Sequence, residues 1–275
     1  MEYKDMKIGL FGPASKEWIN RGPGKVYNNT LKGLKLNGCE VVENGYGDYN
    51  GSFWPGDHPS NTLMGPNIMV VPSDQPGFWK KYNHYVVPSQ WVYDKYKSFA
   101  LTKDINIYIW SAGIDTELFK PKKDIQYDCL VYFKNRQNVD LDVVTSFLNS
   151  KNLTYNVIRY GSYTEKHLID LCNKSKYCIL IDNTESQGIA YMEMLSMDIP
   201  IYVLDQKVWN NRFPATSVPW FDDRCGLIVD NIEDKTFDKF LSKEHEPRKY
   251  ILENHTLEIS AEKYIKILKK IKDES

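Results

Sequence analysis

Two glutamates, Glu185 and Glu193, bracket the stretch of this 275-residue chain best suited to chemistry, Ser-Gln-Gly-Ile-Ala-Tyr-Met. An apolar run, Tyr177-Cys-Ile-Leu-Ile-Asp182, precedes them, and the following segment carries one charge among apolar residues. That order reads as a buried strand, a short loop and a helix starting near Gln187. A helix start presents unpaired backbone N–H groups and a positive dipole end, which suit a phosphate. Gly188 and Ala190 would let a ligand approach the backbone closely. Glu185 then lies before the helix and Glu193 about one and a half turns inside it. The two carboxylates are placed to hold different parts of one extended, phosphorylated ligand.

Each glutamate also has a plainer reading. Glu185 could be a loop acid favoured by a helix N-terminus, and Glu193 a solvated helix residue. On a helical projection Glu193 lies beside Ile189, Met192 and Ser196. Ala190, Met194 and Met197 line another face, and Tyr191 and Leu195 a third. A helix apolar all round is usually buried, and a buried carboxylate needs partners. Ligand hydroxyls would serve.

Cations follow another predicted strand, in Phe133-Lys134-Asn-Arg136. Strand-end cations suit a pyrophosphate, Arg136 through a bidentate fork and Lys134 as a point charge. A solvated charge pair is the alternative.

The elements that must position these groups alternate along the chain. A strand at 7–12, a helix from about Lys25 to Leu36 and a strand at 39–42 make a β-α-β start of doubly wound type. Residues 43–66, rich in Gly, Asn, Asp and Pro, read as a long loop. Strands are expected at 67–72, 84–88 and 105–109. Lys120-Pro-Lys-Lys-Asp124 is a hinge candidate, dividing a domain of residues 1–120 from one of 121–275. The second series runs strand 128–133, helix 139–150, strand 154–159, helix 164–175, strand 177–182, helix 187–197 and strand 200–204. A last helix, Leu257 to Ile271, has Leu257, Ala261, Tyr264, Ile265, Leu268 and Ile271 on one face. Such amphipathy suits a helix docked on its own protein, and on the N-terminal domain in particular. Its lysines are also compatible with peripheral membrane contact. Two such domains would place a cleft at the carboxyl ends of their strands.

Composition narrows the class. A net charge of −1 offers no electrostatic footprint for nucleic acid. Five scattered cysteines, an odd number, suggest reduced thiols in a cytoplasmic protein. No apolar run reaches spanning length, and Met1-Glu-Tyr-Lys-Asp-Met-Lys7 is too charged for a signal peptide. Asp140-Leu-Asp142 has the form of a metal–nucleotide motif, but it opens a predicted helix, where acids are favoured anyway. No metal is expected. Arg21-Gly-Pro-Gly-Lys25 is not a nucleotide P-loop, because Ile19 and Val26 replace the required Gly and Ser or Thr.

Three segments together resemble one family. Glu185 to Glu193, followed by Asp198-Ile-Pro200-Ile-Tyr-Val-Leu204, is similar to the paired glutamates of the retaining family 4 glycosyltransferases of the GT-B fold. Gly113-Ile-Asp-Thr-Glu-Leu-Phe-Lys-Pro121 resembles the segment joining their two domains. Val87-Pro-Ser-Gln-Trp-Val-Tyr-Asp-Lys-Tyr96 is similar to their serine-x-tryptophan turn before a helix. The resemblance implies an α/β protein of two Rossmann-like domains. It implies transfer of a sugar from a UDP- or GDP-linked donor to a hydroxyl of a glycan, lipid-linked or small-molecule acceptor, with retention and no metal or other cofactor. Glu193 would hold the ribose and Glu185 the donor sugar. Lys134, Arg136 and the amides of Gly188, Ile189 and Ala190, next to Gln187, would stabilise the departing diphosphate. Gly161, Ser162 and Tyr163 occupy the nucleotide-base region, and Gly22 and Gly24 match a glycine-rich loop facing the donor. Val71-Pro-Ser-Asp74 aligns with a His-Asp pair near the donor sugar, with Asp74 as the acid and Ser73 where the His would be. His58 is either a substitute for that His or an ordinary surface residue, and His84 reads as a structural strand residue. The alternatives are a non-catalytic sugar-nucleotide-binding protein, or a same-fold enzyme glycosylating DNA bases or protein. Nothing in the sequence fixes an oligomeric state.

Overall fold

The computed structural model describes residues 3–12, 22–66 and 71–274. The chain forms two compact units, one made of residues up to Gly113 together with those from Asn254, the other of Ile114–Glu253.

In the first unit β1 (Lys7–Phe11), β2 (Glu40–Glu43), β3 (Tyr49–Ser52), β4 (Leu63–Met64), β5 (His84–Val87) and β6 (Asn106–Ile109) form a sheet of order β2-β1-β3-β4-β5-β6. Every described pairing in it is parallel. The central strands are buried on both faces, as parallel sheets require. Helix α1 (Gly22–Leu36) begins three residues before the predicted start. Gly22 and Gly24 therefore sit in its first turn and not in a loop.

The expected long loop at 43–66 contains β3 and β4. Its turn-rich composition hid them, yet Gly51 has a packing reason, since a Cβ there would run into the Tyr264 hydroxyl. Of the strand expected at 67–72, positions 67–70 lie outside the described residues, and Val71 and Pro72 are not in a strand. A four-residue helix α2 (Pro76–Trp79) and α3 (Gln90–Lys97) flank β5.

In the second unit β7 (Tyr127–Lys134), α4 (Asn138–Ser150), β8 (Tyr155–Arg159), α5 (Glu165–Lys174), β9 (Ser175–Asp182), α6 (Ile189–Ser196) and β10 (Ile201–Leu204) alternate. A small hairpin, β11 (Val208–Trp209) with β12 (Phe213–Pro214), precedes β13 (Gly226–Val229), α7 (Asp234–Ser242) and α8 (Pro247–Asn254). The parallel sheet has order β13-β10-β9-β7-β8. Residues of α5 and α6, including Leu168, Cys172, Met192 and Leu195, build the core on one face. Leu141, Val144 and Leu148 of α4 join Phe237 and Phe240 of α7 on the other. Each large apolar side chain buried this way contributes about 1.5–3 kcal/mol.

The last helix, α9 (Leu257–Asp273), belongs to the first unit. Thr256 caps it, its side chain accepting from the Ile259 N–H at 3.2 Å. The six residues of its predicted apolar stripe are all buried. It packs against α1 so closely that a Cβ on Gly33 would meet the Leu257 carbonyl and lie 3.0 Å from the Ala261 Cβ. No helix among the described residues is long and apolar enough to cross a membrane.

Candidate functional site

In the second unit the chain runs from β7 outward to β8, then crosses back to place β9 on the other side of β7. The two connections diverge there, and such a reversal opens a crevice at the carboxyl ends of the two strands. Lys134 ends β7, Asp182 ends β9, and they are direct partners in the ladder. The topology thus puts an ammonium and a carboxylate at the lip of the crevice.

Lys134 is only 14% exposed at its side chain. Its Nζ contacts Glu185 Oε1, lies 3.8 Å from Asp182 Oδ2, and sits 4.6 Å from the Tyr160 ring centroid. Burial works against its charge, but Glu185 and Asp182 outweigh burial and raise its pKa above the usual lysine range. The ammonium serves Glu185 first, which leaves Asp182 weakly compensated. Burial and the Glu185 charge push the Asp182 carboxyl up to about 8, against the pull of Lys134 and of the Asn183 N–H. That N–H donates to Asp182 Oδ1 at 2.7 Å.

Beyond the cluster, helix α6 starts at Ile189, two residues later than predicted. Gly188 is its N-cap with φ 79° and ψ 49°, a left-handed conformation that only glycine adopts without cost. A Cβ there would also run into the Tyr191 ring. Tyr191 is itself pinned, because the Trp220 N–H donates to its hydroxyl at 2.8 Å and that hydroxyl donates to the Trp220 carbonyl at 3.3 Å. Gln187 is buried, and Ile189 and Ala190 are half-buried. Glu193 is 2% exposed, as its place in a helix apolar all round requires. Its charge is one of those acting on the buried thiol of Cys172 in α5.

The structure separates Arg136 from Lys134. Arg136 Nε donates to Asp140 Oδ2 at 2.8 Å, and Nη1 donates to the carbonyls of Asp182 at 3.2 Å and Leu204 at 3.4 Å. It ties together the ends of β9 and β10, and Asp140 of the Asp-x-Asp segment is its partner at the start of α4. Both line a groove of about 720 Å³ with Asn135, Gln137, Asn183 and Gln206 among its walls. Tyr163 is half-buried, its hydroxyl 3.0 Å from that of Tyr132 on β7. Gly161, with φ 81°, and Ser162 are exposed in the turn before it.

Sequence reasoning missed the loop after β10. Asp205 Oδ1 accepts from Thr216 Oγ1 at 2.9 Å and from the Ser217 N–H at 2.7 Å. Ser217 Oγ donates to the Asp182 carbonyl at 3.2 Å, and the Glu185 N–H donates to the Thr216 carbonyl at 2.9 Å. This loop holds the Glu185 segment in place. Only a Thr-Ser pair downstream of an Asp hinted at it.

The first unit has its own reversal, between β1 and β3, where Phe11 pairs with Ser52. His58 folds back onto it. Its ring lies 4.3 Å from that of Phe11, Nε2 is 3.2 Å from Ser52 Oγ, and Nδ1 is 3.4 Å from the Tyr46 hydroxyl. Ser52 Oγ gives its own proton to the Trp54 carbonyl at 2.6 Å, so Nε2–H is the donor and Nδ1 keeps the lone pair. Burial and then Lys81 lower the His58 pKa. Asp74 is exposed on a turn and accepts from Ser73 Oγ at 2.9 Å. His84 is buried within β5.

No family model matches the chain, and no curated protein sequence does either. Among solved structures it is similar to the lipopolysaccharide outer core galactosyltransferase WaaB, at 10% identity and a TM-score of 0.59, covering 94% of this chain and 98% of that one. It is similar to a sucrose-phosphate synthase from Thermosynechococcus elongatus, at 10% identity and a TM-score of 0.55, covering 98% and 100%. The fold is GT-B. A GtfA/B complex gives a TM-score of 0.51 at 14% identity over 92% of this chain, and an assembly of accessory secretory proteins from Streptococcus pneumoniae gives 0.50 at 15% over 79%. The chain spans 56% and 50% of the length of the matched chains in those two structures.

Proposed function

We propose that this GT-B protein is a glycosyltransferase that moves a sugar from a nucleoside diphosphate donor, UDP- or GDP-linked, to an acceptor hydroxyl. Its second unit binds the donor. The observation that carries the reading is the Lys134–Glu185–Asp182 cluster at the β7/β9 reversal, next to the Gly188 start of α6. An ammonium has three N–H donors, and those not engaged by Glu185 are left for a phosphate oxygen. The first amides of α6 add donors and a positive dipole end for the same diphosphate. Lys134 and these amides stabilise the leaving diphosphate as its charge grows, a contribution that is commonly the largest in such chemistry. Arg136 acts indirectly, by fixing the strand ends that carry Asp182. Glu193, inside α6, takes the ribose hydroxyls, and Glu185 takes a donor-sugar hydroxyl while keeping its contact to Lys134.

Transfer with retention and without a metal belongs to the same proposal, as do glycan, lipid-linked or small-molecule acceptors. The five described cysteines, all free and buried, fit a reducing compartment. Calorimetric titration of UDP and GDP in EDTA tests the donor site, with micromolar binding of one of them expected. Absence of binding by either would overturn the proposal. Binding without hydrolysis or transfer of any nucleotide sugar would support a non-catalytic sugar-nucleotide-binding protein instead.

A further inference from the structure

The reading above leaves one buried ionisable group without a task. Asp182 is 3% exposed and sits at the lip of the crevice, yet no donor role was assigned to it. Three ionisable side chains meet here, two carboxyls and one ammonium. The ammonium is committed to Glu185, and at 3.8 Å from Asp182 Oδ2 it is beyond hydrogen-bond reach of the second carboxyl. Both carboxyls thus lie around the same ammonium, one in contact with it and one at 3.8 Å. Two charged carboxylates against a single ammonium would leave a net negative charge buried here, so one of the two carries a proton.

The choice between them follows from position. Glu185 has the lysine in contact, whereas among the described residues the Asp182 carboxyl accepts a single hydrogen bond, from the Asn183 N–H to Oδ1, so the proton belongs on Asp182 Oδ2. The other ionisable and charged groups around it do not change this. Tyr132 of β7 has its hydroxyl pushed upward in pKa by burial and stays neutral. Tyr160, just past β8, offers Lys134 its ring face. Arg136 is spent on Asp140 and on backbone carbonyls, and Asp205 on Thr216 and Ser217.

We propose that Asp182 is a donor-binding residue that acts as a neutral carboxylic acid, giving its proton as a hydrogen bond to an oxygen of the bound diphosphate. The inference rests on the donor site proposed above. When a diphosphate arrives at Lys134, the Asp182 proton is given to a phosphate oxygen as a hydrogen bond, and Glu185 accepts from a sugar hydroxyl. No covalent bond is made or broken. A carboxylate in the same place would instead repel the diphosphate, so binding and protonation of Asp182 are linked. The direction of the Asp182 shift, to about 8, agrees with this.

The test is calorimetric titration of UDP and GDP between pH 7 and 9, repeated in two buffers of different ionisation enthalpy. Affinity should be level near pH 7 and fall up to tenfold per unit above pH 8, with uptake approaching one proton at pH 9. Asp182→Asn keeps an N–H donor without a charge. It should bind as wild type does at pH 7 and show neither the decline nor the proton uptake. Asp182→Ala should bind more weakly at every pH. Wild-type affinity constant within twofold across the range, with no proton uptake, would overturn the role of Asp182 and leave the donor site standing. So would a decline that survives in Asp182→Asn. If neither nucleotide binds at any pH, both proposals fall. The wild-type measurement decides by itself if a variant does not fold.

Discussion

Replacing Gly188 by alanine tests the geometry of the α6 start most directly. The residue sits at φ 79°, where a side chain costs about 1–2 kcal/mol in the left-handed region. Its new Cβ would also run into the ring of Tyr191, which is fully buried and held at its hydroxyl by both backbone groups of Trp220. Overpacking of this kind costs a further 1–3 kcal/mol or so. The sum, about 2–5 kcal/mol, corresponds to a drop in Tm of roughly 5–20 °C for a domain of this size. Gly188→Asn separates the two contributions, since asparagine tolerates the backbone conformation but keeps the clashing Cβ. If the clash dominates, both variants fall alike; if the backbone dominates, Asn is milder. Differential scanning calorimetry resolves this. A Gly188→Ala protein melting within 1–2 °C of wild type would refute the reasoning about both the cap and the Tyr191 contact.

Other expectations follow from the same cluster and from one buried imidazole. Lys134→Ala strands the buried Glu185 carboxylate without its ammonium, and breaking a buried pair costs about 3–5 kcal/mol; urea melts at pH 7 should show that deficit. In transfer assays the same variant should lose about 10²–10³ in kcat, and unaltered turnover would remove it from the catalytic machinery. Asp182 has a folded pKa above its unfolded value, so the native state holds the extra proton between about pH 4 and 8. Wild-type stability should fall across that window while Asp182→Asn does not, a difference absent below it and constant above it. His255, buried against Ser111 with its Nδ1 3.1 Å from Oγ, has a pKa lowered to about 3 by burial and by Lys263. The unfolded chain protonates it below about pH 6.5 and the native state does not, a penalty of about 2 kcal/mol at pH 5. His255→Gln should remove that part of the acid sensitivity, and parallel pH–stability curves would contradict it.

Much of the fold was legible because parallel strands buried on both faces announce themselves as apolar runs. Tyr177–Asp182 and Ile201–Leu204 are examples, as is the 3.6-residue stripe of α9. Strands β3 and β4 were not, because Tyr49-Asn-Gly-Ser52 has turn composition and owes its place to what lies over Gly51. In the candidate site, the strand-end place of Lys134 and the burial of Glu193 were readable from local order. The division of labour between Lys134 and Arg136 was not. Lys134 ends β7 and Arg136 lies just past it, where Asp140 and the carbonyls of Asp182 and Leu204, brought in by other strands, engage Arg136. The part played by Asp182 is hidden in the sequence for the same reason. Its raised pKa comes from burial and from Glu185, while Lys134, distant in sequence and adjacent in the ladder, pulls the other way.

The membership of α9 in the first unit has a consequence during synthesis. That unit closes around a helix encoded after the whole of Ile114–Glu253. At about 5–20 residues per second, the ribosome would deliver α9 on the order of 7–30 s after Gly113. Through that interval the face of α1 around Gly33, and the face of β3 at Gly51, lack the helix that covers them. The second unit, contiguous in sequence, has all its strands first. A nascent chain stalled before residue 254 should therefore expose the apolar seam that α9 later covers.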